Sequence, residues 1–218
     1  MMRVSFTVVA MSLSILLFTV QAPRAEAVIL VNELLPNPGG LDANRDGIAN
    51  SIQDEFVELV NTGFDPVSLA GWTLADAIKV RHVFAADAVL PGCSFFVVFG
   101  GGTPKDFLYV ATASTKTLSL NNTGDTVTLK DADAALIDSF IYMTSLTAES
   151  FTQFPDGAGP FVPHLTVSDL PISPGATVDG QLHLPRAKQD PVAPEPATWL
   201  LWTVGLMGLI STRQLRRT

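Results

Sequence analysis

Two stretches that alternate apolar and polar residues, VILVNELLP (28–36) and DEFVELVNTG (54–63), enclose a loop in which Asp42, Asn44 and Asp46 alternate and lead into Gly47. A period of two is the signature of a half-buried strand, so two strands joined through an acidic loop are expected here. In the second, Phe56, Glu58 and Val60 share one face and Val57 and Leu59 the other. VSLAGWTLAD (67–76) continues as a third strand, with Trp72 placed to anchor the core.

The same pattern runs on. HVFAADAVLPG turns into CSFFVVFGGG, whose unbroken apolar run reads as a strand buried on both faces. TLSLNNTGDTVTLKDADAALIDSFIYM reads as strand, turn, strand, turn, strand, with hairpin chemistry at Asn121–Asp125 and Lys130–Ala134. No amphipathic helix is legible between residues 28 and 193. Seven to nine short strands with such turns define an all-β chain, an immunoglobulin-like antiparallel β-sandwich. After Tyr142, three Pro/Gly clusters mark loop that covers the sandwich and then a linker.

The acidic loop is a candidate metal site. Calcium takes six to eight oxygen ligands, and alternate Asp/Asn side chains ending on a glycine supply the turn it needs. Asp42, Asn44 and Asp46 hold places one, three and five, Gly47 is sixth, the Ile48 carbonyl falls at seven and Asn50 at nine. Place twelve is Gln53 rather than a bidentate Glu, so Asp54 and Glu55 are the expected substitutes. No helix flanks the loop, which points to a structural calcium clasp between strands rather than a helical switch. The bland alternative is a metal-free polar loop, which Arg45 and Gln53 favour.

Other constellations are weaker. Glu33 and Glu58 lie in strands where they can meet, and paired carboxylates perform glycoside hydrolysis, yet edge positions or a metal's outer shell account for them equally well. His82, His164 and His183 show no metal-ligand spacing and are expected at the surface or in loops. Gly100-Gly101-Gly102-Thr103-Pro104-Lys105 lacks phosphate-loop spacing and is read as a plain loop. The single cysteine, Cys93, excludes an intrachain disulfide and has no base beside it in sequence, so a small buried thiol is expected. Residues 28–193 carry 19 acidic against 8 basic side chains, a net of −11, which disfavours nucleic acid as a partner.

The ends differ from the middle. Arg3, the apolar run Val4–Val20 and Ala25-Glu26-Ala27 form a signal peptide (1–27) with cleavage after Ala27. At the other end, Pro194-Glu195-Pro196 precedes the apolar run Ala197–Thr212 and then Arg213, Arg216 and Arg217. Sixteen residues are short for a bilayer span. The segment PVAPEPATWLLWTVGLMGLISTRQLRR (194–218 with its approach) resembles the PEP-CTERM sorting tail. That resemblance implies recognition by an exosortase, transient anchoring in the inner membrane of a Gram-negative bacterium through this transmembrane helix, and delivery to the cell surface or exopolysaccharide.

The middle of the chain, residues 28–163, resembles the bacterial form of the lamin tail domain through VNELLPNP, DANRDG, DEFVELVN, LAGWTLAD, FFVVFGGG, LNNTGDTVTL and ESFTQFPDG. The resemblance implies an immunoglobulin-like sandwich without enzymatic activity, used for binding or attachment, with residues 164–193 as extension and linker. The expected function is therefore a non-catalytic, calcium-stabilised surface or matrix protein, with the secretion machinery, an exosortase and an exopolysaccharide or envelope protein as partners. A secreted metal-dependent hydrolase, or a nucleic-acid-binding module, is the alternative.

Overall fold

The computed structural model describes residues 28–184; the signal and sorting segments expected at the two ends lie outside the described residues. Twelve strands follow in order: β1 Ile29–Leu35, β2 Phe56–Asn61, β3 Val67–Ser68, β4 Thr73–Ala75, β5 Val80–Val83, β6 Val89–Leu90, β7 Phe95–Phe99, β8 Val110–Thr112, β9 Asp125–Lys130, β10 Leu136–Tyr142, β11 Phe151–Gln153 and β12 Phe161–Pro163. A 3-10 turn at His164–Thr166 is the helical content among the described residues, and no helix there is long and apolar enough to cross a membrane.

A six-stranded sheet runs β12-β11-β1-β2-β7-β8 and faces a four-stranded sheet β10-β9-β4-β5, with β3 and β6 paired beside them. Pairing is antiparallel except between β7 and β8, which run parallel, so the expected all-antiparallel sandwich needs that correction. The strands also outnumber the seven to nine expected, and two of the expected strands differ: 67–76, read as one strand, is divided by a turn into β3 and β4 of different sheets, and 117–120, read as a strand, is irregular.

Between the sheets lies one core, built from Val31, Leu34, Val57 and Leu59 on one side and Leu74, Val127, Leu129 and Tyr142 on the other. Trp72 packs against it half-buried rather than at its centre. A second, smaller cluster forms on the outer face of the larger sheet from Leu35, Phe56, Val97 and Phe99, covered by Ala43 of the acidic loop and by Ile172. That second layer explains why every residue of β2 and β7 is buried. It also matches the alternation in 56–60, where Phe56 joins the outer cluster and Val57 and Leu59 the inner one.

A β-bulge decides what the outer face carries. Val31 pairs with Leu59 and Glu33 with Glu58, leaving Asn32 as the extra residue. A bulge shifts the period of two by one residue. Val31 and Leu34 can thus both face the core while Glu33 and Leu35 face outward.

The chain after Tyr142 is more ordered than a covering loop. Strands β11 and β12 extend the larger sheet, and Phe140 stacks on Phe161 at 3.8 Å between ring centres. Residues beyond 163 continue across the outer face, where Ser173 and Gly175 bond to Glu33 and Glu58.

Candidate functional site: the acidic loop and the buried carboxylates

The acidic loop closes by short-range bonds from its own amides. Asp42 accepts from Asp46 N at 3.1 Å and Gly47 N at 2.9 Å; Asn44 Oδ1 accepts from Asp46 N, and Asp46 Oδ1 from Ile48 N, both at 2.9 Å. Arg45 and Gly47 supply the positive φ values, 59° and 97°, that the tight turns require. Asp54 then ties the two ends together, accepting from Asn44 N at 2.9 Å and Asn50 N at 2.6 Å. Asn50 turns its oxygen to the amides of Ile52 and Gln53.

This loop docks on Gly100–Lys105. Asp46 accepts from Thr103 N at 3.1 Å, Lys105 Nζ donates to the Asp46 carbonyl at 2.9 Å, and Asn44 Nδ2 donates to the Gly101 carbonyl at 3.3 Å. A Cβ at Gly100 would stand 2.0 Å from the Ile52 carbonyl oxygen, and one at Gly102 2.3 Å from Asn44 Nδ2. The glycine triplet is a loop, as the sequence suggests, and close backbone approach is the reason for its composition.

Of the six expected calcium ligands, Asp42, Asn44, Asp46 and Asp54 are brought together. Burial raises the Asp54 pKa against two backbone bonds, and the charges of Asp42 and Asp46 add to the rise. Ile48 sits at the exposed rim. Glu55 is turned away: Leu120 N donates to it at 3.4 Å, and burial pushes its pKa up to about 8. Asp54 and Glu55 therefore bond in different places, and of the two only Asp54 reaches the acidic loop. Among the described residues, no three His, Cys, Asp or Glu side chains converge closely enough to hold a metal ion as they stand.

Glu33 and Glu58 do meet, as direct partners across β1 and β2, but both are fully buried. Glu33 accepts from Ser150 Oγ at 2.6 Å, Ser173 N at 2.9 Å and Ser173 Oγ at 2.7 Å. Glu58 accepts from Asn32 Nδ2 at 2.9 Å and Gly175 N at 2.6 Å. Asn32, the bulge residue, also bonds to Asp156 and Gly157. Burial raises the pKa of both glutamates; His164 opposes the rise at Glu33, whereas the neighbouring Glu33 adds to it at Glu58, which stands well above the ordinary range.

His164 completes the cluster. Expected at the surface or in a loop, it opens the 3-10 turn after β12 and is fully buried, with Nδ1 2.6 Å from the Leu170 carbonyl and Nε2 2.9 Å from Ser173 Oγ. A carbonyl only accepts, so Nδ1 carries a proton. Ser173 Oγ bridges His164 to Glu33, whose nearer oxygen is 4.0 Å from Nε2. Serine in the middle reverses the order of a hydrolytic triad, in which histidine stands between serine and acid. What the arrangement does chemically is hold a proton inside a sealed network that pins residues 150–175 to the sheet. His82 is likewise buried, while His183 is exposed as expected. Cys93 is the buried thiol the sequence suggests. The roles of Ser150, Ser173 and His164 left no trace in sequence, because they reach Glu33 from 117 to 140 residues away.

Two facing sheets, the central strands of the larger one buried on both faces, make a β-sandwich of immunoglobulin-like kind. Residues 22–144 match the lamin tail domain model, more than half of the chain, and the protein belongs to the lamin tail domain family. A search of curated proteins returns no match. The family match stops short of Ser150, His164 and Ser173, so the sealed network is built jointly by the family segment and the forty residues after it.

Proposed function

We propose that this chain is a non-catalytic binding and attachment module, exported, stabilised by calcium at its acidic loop, and sorted to the cell surface or exopolysaccharide by its C-terminal segment. The observation that carries the non-catalytic reading is the complete burial of Glu33 and Glu58, the carboxylate pair that the sequence offers for hydrolysis. General acids and bases must reach substrate within hydrogen-bond distance, and these two are spent on Ser150, Ser173, Asn32 and Gly175. Hydrolysis of a polysaccharide or phosphoester by the chain, abolished in Glu58→Gln, would overturn it.

The calcium part rests on Asp42, Asn44, Asp46 and Asp54, which fit a hard, oxygen-loving cation. Each carboxylate oxygen that accepts one amide keeps a second lone pair, and the mutual repulsion felt at Asp54 is what a cation relieves. The test is a thermal melt of the protein with calcium or with EDTA, beside Asp46→Ala. Calcium at a hundredfold excess over its dissociation constant stabilises by about 2.7 kcal/mol. No shift at millimolar calcium removes calcium from the proposal. Export and sorting are supported by the sequences at residues 1–27 and 194–218, and intact mass of surface-recovered protein tests them. A mass that still includes Arg216 and Arg217 would refute sorting by cleavage. Net charge continues to oppose nucleic acid as the partner.

A further inference from the structure

Two sheet edges, β5 and β8, border the open side of the sandwich. Ser114 and Thr115 cover β5: Ser114 Oγ accepts from Val83 N at 3.0 Å, and Thr115 N donates to the Arg81 carbonyl at 3.2 Å. β8 is not covered in this way. Val97 N donates to the Tyr109 carbonyl and Ala113 N to the Phe99 carbonyl, so odd-numbered residues of this segment turn their backbone groups to β7. The alternation turns the backbone of Leu108, Val110 and Thr112 outward, and of these the Thr112 carbonyl faces His82, which leaves Leu108 and Val110 as the open stretch.

Beside this edge is a cavity of about 320 Å³ lined by His82, Phe84, Asp87, Val89, Phe96 and Ala111, among others. Its rim is apolar and exposed, with Val83 at 49%, Val89 at 43% and Leu108 at 60%. His82 forms part of the wall. Its Nδ1 lies 3.3 Å from Ser114 Oγ, and its Nε2 is buried without a hydrogen-bond partner. Burial holds its pKa below the usual value, with the Thr112 backbone opposing, so the ring is neutral near pH 7 and not a fixed cation. Asp87 is the carboxylate of the cavity lining, and residues 28–184 hold 18 acidic against 6 basic side chains.

We propose that β8 and this cavity form a docking site for an extended peptide strand of a partner protein, which adds to the edge of β8 at Leu108 and Val110, places one large apolar side chain in the cavity, and carries basic residues beside it. Unpaired edge groups are a template for strand addition, and pockets beside the edge read alternate side chains. A cavity near 300 Å³ accepts a leucine- or phenylalanine-sized group and is small for a whole folded element. The acidic surface favours a cationic strand over an acidic one. The proposal names the partner class for the binding module argued above, and it is independent of the calcium loop.

The test is fluorescence anisotropy of a labelled peptide, Lys-Thr-Val-Thr-Leu-Thr-Lys, titrated with the full chain, against a control with Ser in place of Val and Leu. Saturable binding is expected for the first peptide and at least ~10-fold weaker binding for the control. Val110→Pro removes an outward N–H that the fold does not use and is expected to weaken binding by ~10-fold or more. Ala88→Phe, which fills the cavity, should do the same, and circular dichroism shows whether it folds; Val110→Pro decides alone if it does not. Binding that Val110→Pro leaves intact, equal binding of the control, or no binding up to roughly 1 mM overturns the proposal. Such failure leaves the non-catalytic reading to its own hydrolysis and calcium tests.

Discussion

Replacing Glu58 by Gln separates two effects that a single stability value would merge. In the folded chain Glu58 is fully buried, and burial followed by the charge of Glu33 raises its pKa well above 4.5. A carboxyl whose folded pKa is raised binds its proton more tightly in the native state than in the unfolded state. Its contribution is therefore fully present below the unfolded value and is lost as pH rises from about 4.5 toward the folded pKa. Within that window the loss is about 1.4 kcal/mol per pH unit for this group. Glu58→Gln deletes that slope. It also turns an amide NH2 toward Asn32 Nδ2 or Gly175 N, each of which now donates to the carboxylate, and so forfeits one hydrogen bond at about 1 kcal/mol independent of pH. The variant should be less stable than the parent near pH 5 and more stable by pH 7, the two curves crossing about one unit above the ordinary glutamate range. Urea unfolding at half-unit steps from pH 5 to 8 measures this. Curves that run parallel throughout would show that Glu58 titrates alike in both states and would refute the argument from burial.

Three further outcomes follow from the same geometry. Ser173→Ala removes the hydroxyl between His164 and Glu33 and should cost about 3 kcal/mol, seen as a melting shift of roughly 6–12 °C and faster proteolysis within residues 165–180; a shift under 2 °C would mean the bridge carries no load. Gly100→Ala sets a Cβ 2.0 Å from the Ile52 carbonyl, so the acidic loop must move off, and a loss of about 2 kcal/mol or more is expected in the same melt. Cys93 is 5% exposed and should resist a thiol reagent such as Ellman's in the native protein and react fully in urea; rapid native labelling would contradict its burial.

The strands were legible because burial on one or both faces imprints a period on the sequence. DEFVELVN shows both faces of β2 in its alternation, and FFVVF shows a strand covered on both sides. The hairpin of β9 and β10 was legible from its turn residues, which local backbone geometry selects. The acidic loop was legible as a loop from Asp42, Asn44, Asp46 and Gly47, since each turn in it is closed by a side chain two to five residues away. Glu55 was misplaced because its partner, the Leu120 amide, lies 65 residues further along the chain.

By itself, then, the sequence determined whatever depends on near neighbours: an all-β chain, its main strands, its turns and its acidic loop. Only the tertiary structure decided which distant residues meet. One bulge at Asn32 turns Glu33 outward to face Glu58, and packing of residues 150–175 then brings Ser150, His164 and Ser173 onto that pair. The parallel pairing of β8 with β7, which no turn residue or alternation announces, is also left to packing. The physical reason is separation along the chain. A period or a turn is written within ten residues, whereas a contact across more than a hundred is set by how sheets and loops pack, and no local pattern encodes it.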